Sequence, residues 1–178
     1  MPVTETTHRL KSEADVIRIS ILQLLHPVNV ALSALLPPGV TVYCERRRRK
    51  KKLAVVEFKN TKIIHWEDFE PAEVSQANAA EKMGEAMGNI DGTLLAGNAV
   101  SLSKQARKYS GSCKDIAVFD WNAMFIFDFY GIREDHLVPK PVKGIYFDES
   151  DAVSEGATFR LILFGFLVRA LQRLHSEM

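Results

Sequence analysis

The chain has 178 residues, of which 47% are hydrophobic and 9% aromatic, and its formal net charge is +1. This length and composition are enough for one domain with a sizeable core but leave little room for two. No uninterrupted apolar stretch approaches the roughly 20 residues of a membrane span, and Met1–Lys11 lacks the apolar region of a secretory signal. We therefore expect an intracellular protein without a membrane partner, with a flexible tail at residues 1–11 and a single domain at residues 12–178.

The small net charge conceals a basic block of seven consecutive cations: Arg46, Arg47, Arg48, Arg49, Lys50, Lys51 and Lys52. The rest of the chain has 16 basic and 22 acidic residues, so the positive field is local. Such a block attracts polyanions in a salt-dependent way. Three interpretations remain open: a hairpin tip that contacts phosphates, a nuclear-localisation signal, or a charged loop that keeps the protein soluble.

The first element is a helix. Ser12 offers a capping oxygen with Asp15 three residues later, and apolar residues follow at helical spacing to Leu25. His26-Pro27 predicts a break or kink, because proline lacks a backbone donor. A shorter helical stretch runs to Leu36, and Pro37-Pro38-Gly39 ends it.

Two β-type runs follow, Val40–Glu45 and Leu53–Lys59, separated by the basic block. They predict a hairpin with a basic tip. Helical patterns then cover Phe69–Met87 and Val100–Tyr109, and Gly111 closes the second of them.

The last third of the chain begins with β runs at Ile116–Phe119 and Met124–Phe129, close enough for a second hairpin. Tyr146-Phe147 predicts an edge strand. The final helix, Thr158–His175, is apolar nearly all round, so it is either buried in the core or half of a homodimer interface. This order of elements indicates an α/β domain with a mixed sheet flanked by helices.

Side chains alternate along a strand, so Glu57 and Lys59 share one face of the second β run. A carboxylate is a hard oxygen ligand for Mg²⁺, and a neighbouring ammonium can orient water and offset phosphate charge. The pair alone has low specificity, since 13 Glu and 12 Lys in the chain make roughly one Glu-x-Lys expected by chance. A surface ion pair is the simpler alternative.

Three further features add context. Glu45 ends the preceding β run, where a hairpin could bring it beside Glu57. Gln105 and Tyr109 are four residues apart and therefore share a helical face. The acid, the Glu-x-Lys run and the Gln-x-x-x-Tyr helix also follow one another in that order.

In these residues the chain resembles the PD-(D/E)XK nuclease-like superfamily, specifically its RecB-like branch, and is similar to small nuclease-like proteins of fungi. The resemblance covers about Val40–Phe129 and implies a restriction-endonuclease-like fold. It implies that Glu45 and Glu57 hold Mg²⁺ or Mn²⁺, with Glu13 or Asp15 as a further candidate ligand, and that Lys59 assists the attacking water. Gln105 and Tyr109 would line the site or contact the nucleic acid. The chain departs from the family pattern in lacking Pro-Asp before the first metal ligand.

We therefore expect a metal-dependent phosphodiesterase acting on DNA or RNA, recruited through Arg46–Lys52. Two alternatives stay open: a catalytically inactive nuclease-fold protein that binds nucleic acid, and a protein-interaction domain that uses the final helix.

Overall fold

The computed structural model describes residues 10–38, 40–42, 52–74, 77–130, 144–150 and 156–176. Of the predicted site residues, Glu45 and the basic residues 46–51 lie outside these stretches, as does most of the predicted tail. Lys52, Glu57, Lys59, Gln105 and Tyr109 lie within them.

Within the described residues, four strands form one sheet in the order of the chain: β1 (Val55–Phe58), β2 (Asp115–Phe119), β3 (Ala123–Asp128) and β4 (Gly144–Asp148). Strand β1 pairs parallel to β2, while β3 pairs antiparallel to both β2 and β4. The sheet is therefore mixed, as predicted. The second predicted hairpin corresponds to β2 and β3, and the predicted edge strand to β4.

The helices are α1 (Glu13–Ser20), α2 (His26–Ser33), α3 (Trp66–Phe69), α4 (Ala79–Gly88), α5 (Gly97–Ser110) and α6 (Phe159–Ser176). Helices α3 and α5 contribute to the core on one side of the sheet, which we call the α5 face. Helices α2 and α6 contribute on the opposite side, the α6 face. The predicted arrangement of a mixed sheet with flanking helices is thus confirmed.

Strand alternation divides the core between the two faces. In β2, Ile116 and Val118 belong to the core on the α5 face, whereas Ala117 and Phe119 belong to that on the α6 face. Strand β1 follows the same rule with Val55 on the α5 face and Val56, Phe58 on the α6 face. The same alternation places Glu57 on the α5 face, beside the helix that carries Gln105 and Tyr109.

The N-terminal helical segment begins as predicted. Ser12 Oγ accepts from the Asp15 backbone, and Asp15 Oδ2 accepts from the Ser12 backbone at 3.0 Å, which completes a capping box. The hydrogen bond from the Ser12 side chain is the main reason that the pKa of Asp15 is lowered. Asp15 therefore acts as a helix cap.

Pro27 does not break this segment. A π-helical turn, Ile21–Leu25, joins α1 to α2. Proline has no N–H to offer the carbonyl four residues earlier, that of Gln23. Arg160 of α6 supplies the missing donor, with Nε 2.6 Å from Gln23 O.

The same segment, Glu13–Ser33, is 21 residues long with a mean hydropathy of 1.4, and by length and composition alone it could cross a membrane. Of the described residues, only this segment passes that test. The signal is weak, because core helices of soluble proteins pass it too. Here Leu24, Leu25, Val28 and Leu32 are buried in the core on the α6 face.

Two predicted elements differ from the structure. Residues 40–42, the described part of the run Val40–Glu45, have no strand structure, so the predicted first hairpin is not formed over them. The predicted helix Phe69–Met87 is divided into α3, a 3₁₀ turn at Glu70–Ala72 and α4. Pro71 explains the division, because it cannot donate to an α-helical ladder.

Helix α6 is a core element. Leu163, Phe166, Leu167 and Ala170 are buried on the α6 face, in agreement with one of the two roles predicted for it. The opposite side leaves Leu161 58% exposed. A homodimer through α6 stays a prediction.

Asp120, in the turn between β2 and β3, is fully buried. Its Oδ2 accepts from the backbone N–H groups of Ile63 and Ile64 at 2.6 and 2.8 Å. Its Oδ1 accepts from those of Asn122 and Ala123 at 3.0 and 2.8 Å. With four donors satisfied, this carboxylate ties the segment after β1 to the hairpin and has a structural role.

Candidate functional site

Glu57 and Lys59 form an ion pair at the end of β1. Lys59 Nζ donates to Glu57 Oε1 at 3.0 Å, and the two side chains are 14% and 27% exposed for Lys59 and Glu57. The prediction that these residues are neighbours on one face is confirmed. The pair is largely shielded from bulk water, so its electrostatic interactions are less screened than those of an exposed surface pair.

Tyr109 approaches the same carboxylate from α5. Its hydroxyl donates to Glu57 Oε2 at 3.1 Å, so each Glu57 oxygen accepts one bond. Burial raises the pKa of Tyr109, and the negative charge of Glu57 together with this hydrogen bond raises it further. The hydroxyl therefore stays protonated and available as a donor at neutral pH.

Asp68 positions α5, and therefore Tyr109, from outside the helix. Its Oδ2 accepts from the Asn98 backbone at 3.0 Å, and its carbonyl accepts from Ala96 N at 3.0 Å. Gly97 lies between them at φ +42, and a Cβ there would lie 2.6 Å from Asp68 Oδ1. Only glycine combines this backbone angle with the close approach of the carboxylate.

Gln105 lies one helical turn before Tyr109. Its Oε1 is buried, and within the described part of the chain it has no hydrogen-bond partner. No hydrogen bond joins it to Glu57 or Lys59 among the described residues. Tyr109, but not Gln105, therefore forms a hydrogen bond with the Glu-x-Lys pair.

Among the described residues, no hydrogen bond or ion pair joins a carboxylate of the first helix to this cluster. Glu13 is exposed in the first turn of α1, and Asp15 is held by Ser12. Among residues 10–38, 40–42, 52–74, 77–130, 144–150 and 156–176, no group of three or more His, Cys, Asp or Glu side chains could hold a metal ion. Glu57 is the carboxylate that this cluster offers.

A second polar cluster, which the sequence did not reveal, lies at the start of β2. Asp115 is buried; its Oδ1 lies 2.7 Å from Arg173 Nη1 of α6, and its Oδ2 accepts from the Tyr130 hydroxyl at 2.5 Å. The Arg173 guanidinium also lies over the Tyr130 ring, 3.9 Å from its centroid.

Burial raises the pKa of Tyr130 to about 12, with the Asp115 hydrogen bond and charge contributing and Arg173 opposing. Tyr130 and Arg173 lie 15 and 58 positions from Asp115 in the sequence. No local spacing could have indicated their contact.

Of the basic block, Lys52 is the described residue. Its Nζ donates to Ser112 Oγ at 3.2 Å, in the turn that follows α5. Cys113, next in that turn, is a buried free thiol whose pKa is raised chiefly by burial.

Comparisons of the chain with protein-family models, with curated proteins and with solved structures found no match.

Proposed function

We propose that the chain is a nucleic-acid phosphodiesterase with a restriction-endonuclease-like fold, whose site is built on Glu57, Lys59 and Tyr109. One observation carries the proposal. The Glu-x-Lys pair of β1 and the tyrosine of the Gln-x-x-x-Tyr helix, 52 residues apart, meet at one carboxylate. These were two separate parts of the sequence pattern, and their contact was not implied by either alone.

The three side chains suit an attack on a phosphodiester. The Lys59 ammonium offsets the negative charge that grows on the phosphate oxygens, and it can hold the attacking water. The neutral Tyr109 hydroxyl has one O–H, which it donates to Glu57 and so orients that carboxylate. The Glu57 carboxylate can accept a proton from the water.

The proposed cofactor is Mg²⁺ or Mn²⁺. Glu57 alone, with both oxygens already accepting hydrogen bonds, does not make a metal site, so the proposal requires Glu45 as a second ligand and admits Glu13 as a third. A divalent ion held by these carboxylates supplies charge neutralisation at the phosphate. The basic block Arg46–Lys52 then recruits the nucleic-acid backbone through its charge.

The test is cleavage of single- and double-stranded DNA and RNA with Mg²⁺ or Mn²⁺. We expect Glu57→Gln and Lys59→Ala each to lower kcat by about 100-fold or more. The matched controls are Glu85→Gln and Lys82→Ala, which break an ion pair of 3.5 Å on α4. Cleavage that survives Glu57→Gln and Lys59→Ala at the level of these controls would contradict the proposed site.

The second candidate is a protein of the same fold that binds nucleic acid without cleaving it. The engagement of both Glu57 oxygens favours it, because Lys59 neutralises the carboxylate without a metal ion. It predicts no cleavage, and salt-sensitive binding that survives Glu57→Gln but falls when residues 46–52 are neutralised.

A further inference from the structure

A pocket of about 220 Å³ opens where β1 and β2 begin, between the ends of α5 and α6. Its lining includes six polar side chains: Lys52, Ser110, Ser112, Lys114, Asp115 and Tyr130. Gly111 and Cys113, in the turn after α5, also line it. The lining shares no residue with the cluster of Glu57, Lys59 and Tyr109.

Charge in this pocket is unbalanced. Asp115 is engaged by Arg173 and by the Tyr130 hydroxyl, so its negative charge is matched by a cation that does not line the pocket. Neither Lys52 nor Lys114 forms an ion pair with a carboxylate among the described residues. Lys114 instead lies 5.9 Å from the centroid of the Tyr130 ring.

Lys52 is also held in place. Ser112 Oγ accepts from its ammonium at 3.2 Å and donates to the Tyr109 carbonyl at 3.0 Å. An ammonium has three N–H donors, so two remain for a ligand. Two cations with free donors at one pocket fit an anion with two negative charges.

We propose that this pocket binds a phosphate group through Lys52 and Lys114. A phosphate monoester, with a charge of about −1.5 to −2 at neutral pH, matches the two lysines better than a carboxylate or a backbone diester, which carry one negative charge each. Inorganic phosphate and the terminal phosphate of an oligonucleotide share this chemistry.

The pocket adjoins the site proposed for cleavage. The Tyr109 carbonyl accepts from Ser112 N and Cys113 N, both at 2.9 Å, and the Tyr109 side chain contacts Glu57. A terminal phosphate in the pocket would therefore position a strand beside Glu57. This use of the pocket rests on the proposed function, whereas phosphate binding does not.

The experiment measures the binding of single-stranded oligonucleotides with a terminal phosphate at the 5′ end, at the 3′ end or at neither. The buffer contains EDTA, so that no metal-dependent cleavage occurs. We expect one of the two terminal phosphates to lower Kd about tenfold or more, in line with a charge-assisted bond. Lys52→Ala and Lys114→Ala should each remove most of this gain.

Lys104→Ala is the matched control, because it deletes the same charge from an exposed position of α5 that does not line the pocket. A parallel arm measures the rise in Tm with inorganic phosphate alone. A phosphate effect in either arm that depends on Lys52 and Lys114, but not on Lys104, supports the pocket. The arm that shows the effect tells whether the pocket binds a terminal phosphate of an oligonucleotide or inorganic phosphate. An equal loss in all three variants, or no effect in both arms, overturns it.

Failure of the phosphate-binding proposal is distinguishable from failure of the proposed function. Metal-dependent cleavage that requires Glu57, without any terminal-phosphate effect, would overturn the pocket alone. Phosphate binding without cleavage would overturn the phosphodiesterase alone.

Discussion

The Tyr109 hydroxyl lies 3.1 Å from Glu57 Oε2 and donates to it, which joins the last turn of α5 to β1. This bond and the hydrogen bond from the Lys59 ammonium together orient the Glu57 carboxylate.

The contact can be measured by a double-mutant cycle. Tyr109→Phe removes the donor and should lower the free energy of unfolding by about 1 kcal/mol, a typical value for one hydrogen bond. In the double variant with Glu57→Gln, the change in the free energy of unfolding should differ from the sum of the two single changes by about 0.5 kcal/mol or more, because the two residues touch. Combined with Glu85→Gln, Tyr109→Phe should be additive. Urea unfolding gives both values, and additivity in the first cycle would contradict the contact.

Asp120 should be among the most sensitive positions for stability. Asp120→Ala leaves four backbone donors in a buried turn without their acceptor, so we expect a loss of about 3 kcal/mol or more in the free energy of unfolding. Asp91→Ala, at an exposed position, should change it by about 0.5 kcal/mol or less. Chemical denaturation compares the two, and similar effects would show that the four hydrogen bonds are unimportant.

Two glycines should respond to alanine in opposite directions. At Gly97, φ is +42 and a Cβ would meet Asp68, so Gly97→Ala should destabilise the protein by at least about 1–2 kcal/mol. At Gly84, inside α4, a Cβ meets nothing within 4 Å. Gly84→Ala should stabilise by about 0.5–1 kcal/mol through helix propensity. Thermal unfolding should show Tm moving down for the first variant and up for the second.

Tyr130 should make stability fall in alkaline solution. Its pKa rises from 10 to about 12 on folding, so between these values the folded state retains a proton that the unfolded state releases. The contribution of Tyr130 to the free energy of unfolding is therefore fully present below pH 10 and is lost as the pH rises towards 12. Urea midpoints at pH 9 to 12 should show the stability advantage of the wild type over Tyr130→Phe shrinking across this window. Parallel curves would rule out the linkage.

Local chemistry made part of the fold predictable. The cap that Ser12 provides for the first helix and the hairpin between β2 and β3 are set by residues a few positions apart, and the sequence predicted both. The faces of β1 followed from strand alternation, which placed Glu57 beside Lys59.

Long-range partners explain what was missed. The run at residues 40–42 has β-type side chains, but a strand forms only where a neighbour completes its hydrogen bonds, and none is formed there. The placement of Tyr109 depends on Asp68, which caps α5 from another element. Asp115 and Arg173 are 58 residues apart, and no sequence pattern near either residue indicates that they form a pair.

The bond between Arg160 and the Gln23 carbonyl has a consequence for biosynthesis. It joins the first helical segment to the last helix, and both cover the same side of the sheet. Until residues 159–176 have been synthesised, Phe119, Met124 and Ile126 lack part of their cover. A nascent chain emerging from the ribosome should therefore stay dependent on late contacts, and folding should be completed only after α6 has left the exit tunnel.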